Sequence, residues 1–340
     1  MTLITYPTRV HFADGVLEEA LHSELERIKG SRILLVCHRT EAEGELIDRI
    51  VGGLPARASM ETILFDEDAD LRTHANEIAE IMNAPDAIIS FASAKAIEFG
   101  RKIRFAVNRK RGKRPVLFGV PAIDGMPDPC LKKLESPTAG LPAVVICDPT
   151  IILGAGEAES RDAAVMSLIR CIESYLSVAY NPPADGIALD GLSRCLSSLR
   201  QIGDKVALEL SRDVMAAGLN AFLSQEKGVG PAQIMTTRLM SDASRAQRAA
   251  IARLVLPGVL RRQALDNQKA NVLRKVMSDA DEPLAEATAR VLSNEKMPRT
   301  LADIGVPHAA LDNAAASVAG QSGLTFQKAR MVLEEVYEGA

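Results

Sequence analysis

The apolar positions of this chain follow two periods, and the change from one to the other divides it. Through the first 150 residues, short unbroken apolar runs alternate with stretches in which apolar residues recur every three to four positions. Leu17, Ala20, Leu21, Leu25 and Ile28 predict a helix, with Asp14 as its cap and Gly30 as its stop. The run Ile33 to Val36 lacks polar alternation, as expected of a strand buried on both faces. The same criteria predict helices near 41–51, 71–82 and 95–107, and strands near 62–65, 87–91, 116–120 and 144–147. Strand and helix alternating at this pitch predict a doubly wound, parallel α/β domain over residues 1–150. Ligands of such sheets sit beyond the carboxyl ends of the strands, so the turns after Val36, Phe91 and Val120 are the first places to look.

From about residue 155 the strand signal stops. Amphipathic stretches over 157–179, 186–199, 205–223, 231–240, 246–262, 283–292 and 325–337 predict helices. Asn181-Pro182-Pro183, Gly228-Val229-Gly230, Pro257-Gly258 and Pro307 punctuate them. Residues 151–340 are expected to form an all-α domain, with the boundary near Asp148-Pro149. Two domains also suit 340 residues at roughly 150 per domain.

Composition narrows the function classes. The chain is 47% hydrophobic and 25% charged, an ordinary globular balance that excludes wholesale disorder and fibrous repeats. Aromatics at 4%, with no Trp, disfavour a stacking platform for single-stranded nucleic acid. The net charge of −4 gives no general attraction to DNA, and nucleic acid is not an expected partner. There is no signal-peptide pattern at the start and no apolar run near the roughly 20 residues of a membrane span, so a cytoplasmic protein without a membrane partner is expected.

Five cysteines (Cys37, Cys130, Cys147, Cys171, Cys195) without a C-x-x-C pair predict neither a disulfide framework nor a zinc ribbon. Four sit in apolar surroundings that suit small core residues. The five histidines are scattered, and no metal site is expected. Arg101, Lys102, Arg104, Arg109, Lys110, Arg111, Lys113 and Arg114 form a basic stretch, read as a solvated helix end and loop, with a 2′-phosphate, a nucleic acid or an anionic surface as the competing uses.

Several strings, in order, carry a family resemblance. They are Tyr6-Pro7-Thr8-Arg9-Val10-His11-Phe12-Ala13-Asp14-Gly15, Cys147-Asp148-Pro149, Ile172-Glu173-Ser174-Tyr175-Leu176-Ser177, Asn181-Pro182-Pro183-Ala184-Asp185, Leu254 to Leu260, and the closing Phe326 to Gly339. Together they resemble the iron-containing alcohol dehydrogenase family, and its maleylacetate reductase branch in particular. The resemblance implies a dehydroquinate synthase-like fold, a doubly wound α/β domain followed by an all-α domain. It implies NAD or NADP as cofactor, and a coenzyme lying between the domains with its nicotinamide toward the helical one.

Set against the family's patterns, the chain departs at each chemical motif. The glycine-rich diphosphate loop falls on Ala92, Ser93, Ala94 and Lys95, followed by Glu98 and Arg101. Three small residues leave room for a phosphate beside the backbone, and Lys95 adds a cation. The second phosphate-side loop falls on Pro121 to Asp128, where only Pro121 and Gly125 match. The four metal-ligand positions of the metal-binding members fall on Met166, Arg170, about Ile234, and Arg248. Arginine has no lone pair to offer and isoleucine no ligand atom, so no bound metal is expected.

Arg170 and Arg248 are instead the candidate catalytic residues, two guanidiniums that would hold substrate carboxylates and polarise the reacting oxygen. Their competing use is pairing with an acid such as Glu173 or Asp242. Tyr175 and Tyr180 are candidate general acids only if packing aims them inward. The resemblance thus implies an NAD(P)-linked, metal-independent oxidoreductase acting on a small, anionic, carboxylated substrate, with a homodimer left open. The alternatives are a scaffold that has lost redox chemistry, as a non-redox enzyme or an anion-binding or regulatory subunit, and an interaction module working through Arg101 to Arg114.

Overall fold

The computed structural model describes residues 9–42, 44–66, 70–123, 142–203, 207–239, 245–278, 281–293 and 297–339. Contacts separate them into two compact units, one ending at Ala155 and the other beginning at Gly156.

The first unit is a doubly wound α/β fold. Its strands are β1 (Arg9–Phe12), β2 (Arg32–His38), β3 (Ser59–Phe65), β4 (Ala87–Ala92), β5 (Val116–Pro121) and β6 (Val144–Cys147). Its helices are α1 (Leu17–Arg27), α2 (Glu45–Gly52), α3 (Leu71–Ile81) and α4 (Ala94–Arg111). The six strands form one parallel sheet in the order β1-β6-β5-β4-β2-β3. All six residues of β4 are buried, which is why its sequence shows no alternation. On one face Leu34, Val36, Ile88 and Leu117 pack under Leu71, Ala75 and Ile78 of α3 and Phe99, Ile103 and Val107 of α4. Their neighbours Leu35, Cys37, Ile89 and Phe118 point the other way and are equally buried.

Two local expectations are corrected here. The carboxylate that caps α1 is Asp148, not Asp14: Asp148 accepts from the N–H groups of Gly15 (2.8 Å) and Leu17 (3.2 Å). Fully buried, it also holds Arg49 (2.7 Å) and the hydroxyl of Thr150 (2.6 Å), so one side chain ties the start of α1 to the end of β6. The helix expected from residue 41 begins at Glu45, after a 3-10 turn over Arg39–Glu41 that His38 caps. Strand β1 has no signal of its own, because this short edge strand buries none of its four residues.

The second unit is all helix: α5 (Glu157–Leu176), α6 (Pro182–Gln201), α7 (Leu208–Ser224), α8 (Pro231–Leu239), α9 (Arg245–Arg262), α10 (Asn267–Met277), α11 (Leu284–Leu292), α12 (Ala310–Ser317) and α13 (Phe326–Glu338). Asn181 caps α6 through the N–H of Ala184 (3.2 Å), with Pro182 and Pro183 in the first turn, where their missing N–H groups cost nothing. Helix α9 runs through Pro257 instead of breaking there. Fully buried Val255, Leu256 and Val259 hold it in register, and Gly258 lets Val332 of α13 approach within 2.8 Å of where a Cβ would stand. Helices α10 and α12 lie outside the helical stretches expected from the sequence and are visible only in the fold. None of the described helices is long and apolar enough to cross a membrane.

Candidate functional site

The turn after β4 lies next to the point where the sheet reverses its winding. From β2 the chain steps outward to β3, whereas from β4 it runs the other way through β5 to β6. Ala92 ends β4 with φ +68°, a left-handed conformation that favours glycine. The N–H of Ser93 donates to the Phe91 carbonyl (3.0 Å) across it, closing a three-residue turn. The turn therefore keeps a glycine-like backbone although its residue carries a methyl group. Ser93 then caps α4, its Oγ accepting from the N–H of Ala96 (3.1 Å), and the Ala92 carbonyl accepts from the N–H of Ala122 beyond β5 (2.9 Å).

Ser93, Ala94 and Lys95 are half-exposed at the start of an 18-residue helix, whose dipole favours an anion there. Close packing of α4 on the sheet depends on Gly100, since a Cβ there would lie 2.0 Å from Ser90 Oγ. Gly125, and with it the second expected loop beyond Ile123, lies outside the described residues.

The basic stretch that follows is largely built into the fold. Lys110 pairs with Glu80 (2.6 Å) and Lys113 with Asp86 (2.5 Å). Arg109 donates to Asn76 (2.9 Å), and Arg111 donates to the Glu80 carbonyl (2.9 Å). These bonds fasten the end of α4 to α3 and to the start of β4.

In the helical unit, α5, α8 and α9 pack on one another around a common core. From Asp162 to Tyr175 every residue of α5 is buried except Met166 and Arg170, which lie one turn apart on one face. Ile234 on α8 and Arg248 on α9 are likewise half-buried. The four positions at which the family resemblance places metal ligands are thus partly open sites on mutually packed helices. Their donor set (a thioether, two guanidiniums and an alkyl group) does not fit a divalent cation. Among the described residues, no group of three or more His, Cys, Asp or Glu side chains converges as a metal site would require. Arg170 Nε is buried and has no hydrogen-bond partner there.

Glu173, weighed as a partner for these arginines, is occupied elsewhere. Buried beside α8, it accepts from the N–H of Ala232 (2.6 Å) and from both the backbone and side-chain nitrogens of Gln233 (3.1 and 3.0 Å). Burial outweighs these bonds and pushes its carboxyl up to about 7. Asp242, the other candidate partner, lies outside the described residues. Tyr180 stands 77% exposed on the loop after α5, and the ring of Tyr175 packs under Lys269, 5.1 Å from its Nζ.

A cluster with little sequence signal holds this end of α5. Buried Lys227 and half-buried Lys269 both bond Asp185, and both donate to the Tyr175 carbonyl (3.3 and 2.8 Å). Burial and the neighbouring Lys269 cation bring the Lys227 ammonium down to about 8. Cys37, Cys147, Cys171 and Cys195 are free and buried, and burial pushes their thiols up, Cys37 to about 11, which suits core packing and not nucleophilic chemistry.

A doubly wound parallel sheet followed by an all-helical unit, with a tight strand-to-helix turn after the central strand, is the fold of the iron-containing alcohol dehydrogenases. Solved structures with this fold include the iron-containing alcohol dehydrogenase of Thermococcus thioreducens (TM-score 0.77, 13% identity, 99% of this chain and 100% of that one). The maleylacetate reductase of Agrobacterium tumefaciens shares it (TM-score 0.70, 18% identity, 100% and 99%). So does the sulfoacetaldehyde reductase of Bifidobacterium kashiwanohense, solved in complex with NAD+ (TM-score 0.80, 13% identity, 100% of both chains). No family model matches the chain. In sequence it is similar to the 4-hydroxybutyrate dehydrogenase of Cupriavidus necator, 24% identical over 90% of each chain. The resemblance read from the sequence strings is borne out by these matches.

Proposed function

We propose that this protein is an NAD(P)-linked oxidoreductase that works without a metal on a small carboxylated substrate. The observation that carries it is Arg170, whose buried Nε lacks an acceptor on the one open strip of the otherwise buried stretch 162–175 of α5. A carboxylate is the natural occupant, since it offers two acceptor oxygens and an opposite charge. The similar proteins support the reading: 4-hydroxybutyrate, maleylacetate and sulfoacetaldehyde, as their names give the substrates, all carry an anionic group.

The turn of Ala92, Ser93 and Ala94 fits a diphosphate, because its left-handed residue and small side chains leave backbone accessible at a helix start. Lys95 adds charge there. When bound, the reduced nicotinamide supplies a hydride. Arg170 and Arg248 orient the substrate through its carboxylate and stabilise the negative charge that develops on the oxygen receiving the electron pair. Fixed guanidiniums do this without the ligand exchange a metal requires.

Calorimetric titration with reduced coenzyme, then thermal melts with succinate, tests the reading. Both ligands should raise Tm by mass action. Arg170→Met should abolish most of the succinate shift and leave the coenzyme shift in place. Failure of the coenzyme to bind the wild-type protein would leave a scaffold without redox chemistry, and failure of succinate alone would remove the carboxylate assignment.

A further inference from the structure

Behind the buried carboxyl that joins α5 to α8 runs a chain of two amides, and the chain ends in an unused oxygen. Glu173 lies against Gly230, where a Cβ would stand 2.3 Å from its Cδ, so the missing side chain lets the carboxyl reach the start of α8. Pro231 opens that helix without an N–H, and Ala232 and Gln233 supply its first free donors. The Ala232 N–H meets Glu173 Oε1, and Oε2 takes both the backbone and the side-chain N–H of Gln233. Gln233 Oε1 in turn accepts from Nε2 of Gln225 (2.6 Å), on the turn that follows α7. Both glutamines are buried, and Gln225 Oε1 has no partner.

This arrangement serves the carboxylate. A proton on Oε2 would face Gln233 Nε2, donor against donor. Turning the Gln233 amide over brings its Oε1 to that proton and sends its N–H toward Gln225. Turning Gln225 over then offers the oxygen that was idle. The chain keeps the same number of bonds in either direction, from Gln225 toward Glu173 when the carboxyl is ionised and from Glu173 toward Gln225 when it is protonated. The backbone N–H groups of Ala232 and Gln233 keep acceptors in both.

We propose that Glu173, Gln233 and Gln225 form a relay with two settings, in which a proton taken up by Glu173 turns both amides over while α8 stays in place. Burial pushes the carboxyl up to about 7, so both settings are populated near neutral pH. Every hydrogen-bond partner of Glu173 among the described residues is an uncharged N–H group. The charged groups on the surrounding elements are committed elsewhere or stand apart. Lys227 and Lys269 bond Asp185 and the Tyr175 carbonyl, and Arg253 of α9 bonds the Pro298 carbonyl. Arg194 of α6 pairs with Asp190 and with Asp213 of α7, Asp312 of α12 pairs with Arg330, and Arg238 of α8 is exposed. Arg170 and Arg248 are half-buried and do not bond Glu173, and burial keeps the Cys171 thiol neutral, pushed up to about 12. Neither setting needs a bound coenzyme or substrate.

NMR of the full chain, labelled with ¹⁵N at glutamine side chains, follows both amides between about pH 5 and about pH 9. Gln233 and Gln225 should titrate with one midpoint near 7, although Gln225 does not touch the carboxyl. The Overhauser contact between the Gln225 amide protons and Gln233 should be present above the midpoint and lost below it, a readout that needs no variant. Glu173→Gln should abolish both responses. Gln233→Leu cuts the chain but leaves the charge at Glu173, and should reduce the Gln225 response about fivefold or more. A Gln225 response that survives Gln233→Leu would come from the field of the charge alone and overturns the relay. A contact that persists at both ends of the pH range, or a titration that survives Glu173→Gln, overturns it as well.

Discussion

At Glu173 two opposing effects act on one carboxyl group. Three N–H donors favour the carboxylate, and burial favours the acid, which prevails and raises the group from its ordinary 4.5 to about 7. The folded state therefore holds this proton more tightly than the unfolded chain does. Its contribution to stability is complete below about pH 4.5 and is lost as pH rises to about 7. Glu173→Gln removes that slope, and it also aims an amide N–H at a backbone N–H of α8. We expect a loss of about 1–3 kcal/mol in urea unfolding, the scale of one frustrated buried bond. We also expect a flatter dependence on pH between 5 and 7. A variant that keeps the wild-type slope would show that the proton resides elsewhere.

At the scale of elements, the candidate phosphate turn depends on how closely α4 lies on the sheet. Gly100 sets that distance: a Cβ there would meet Ser90 Oγ at 2.0 Å, Leu117 at 3.1 Å and Ile88 at 3.2 Å. Gly100→Ala must displace these side chains or push the helix outward, and overpacking of this kind costs about 1–3 kcal/mol. Because Ser93 caps the same helix, its displacement should also weaken NADH binding. Thermal melts and NADH titration of one variant separate the outcomes. Lost stability with unchanged affinity would mean that the turn does not hold coenzyme.

Across the whole molecule, the proposed metal independence rests on side chains carried by three helices. Met166 and Arg170 come from α5, Ile234 from α8 and Arg248 from α9. In the proposed reading, the two arginines put positive charge at positions where the family resemblance places metal ligands. Dialysis against EDTA should leave coenzyme-dependent reduction of a small aldehyde acid unchanged, and added Fe²⁺ or Zn²⁺ should not raise it. Stoichiometric metal retained through purification, with activity lost on its removal, would refute the metal-free reading.

The sequence by itself determined the doubly wound unit, the helical unit and the turn after β4, because strand and helix periods record which faces are buried. It also ruled out Arg170 and Arg248 as metal ligands, since no packing turns a guanidinium into one. The tertiary structure decided which groups meet. It gave the cap of α1 to Asp148, more than 130 residues along the chain. It took Glu173 from the arginines and gave it to the start of α8, and it set Asp66 against Arg39. It also put Ala92 in a conformation that its side chain disfavours. A local pattern reports burial, which each segment settles for itself. The partner of a charged or polar group depends on the path of distant segments, which no local period encodes.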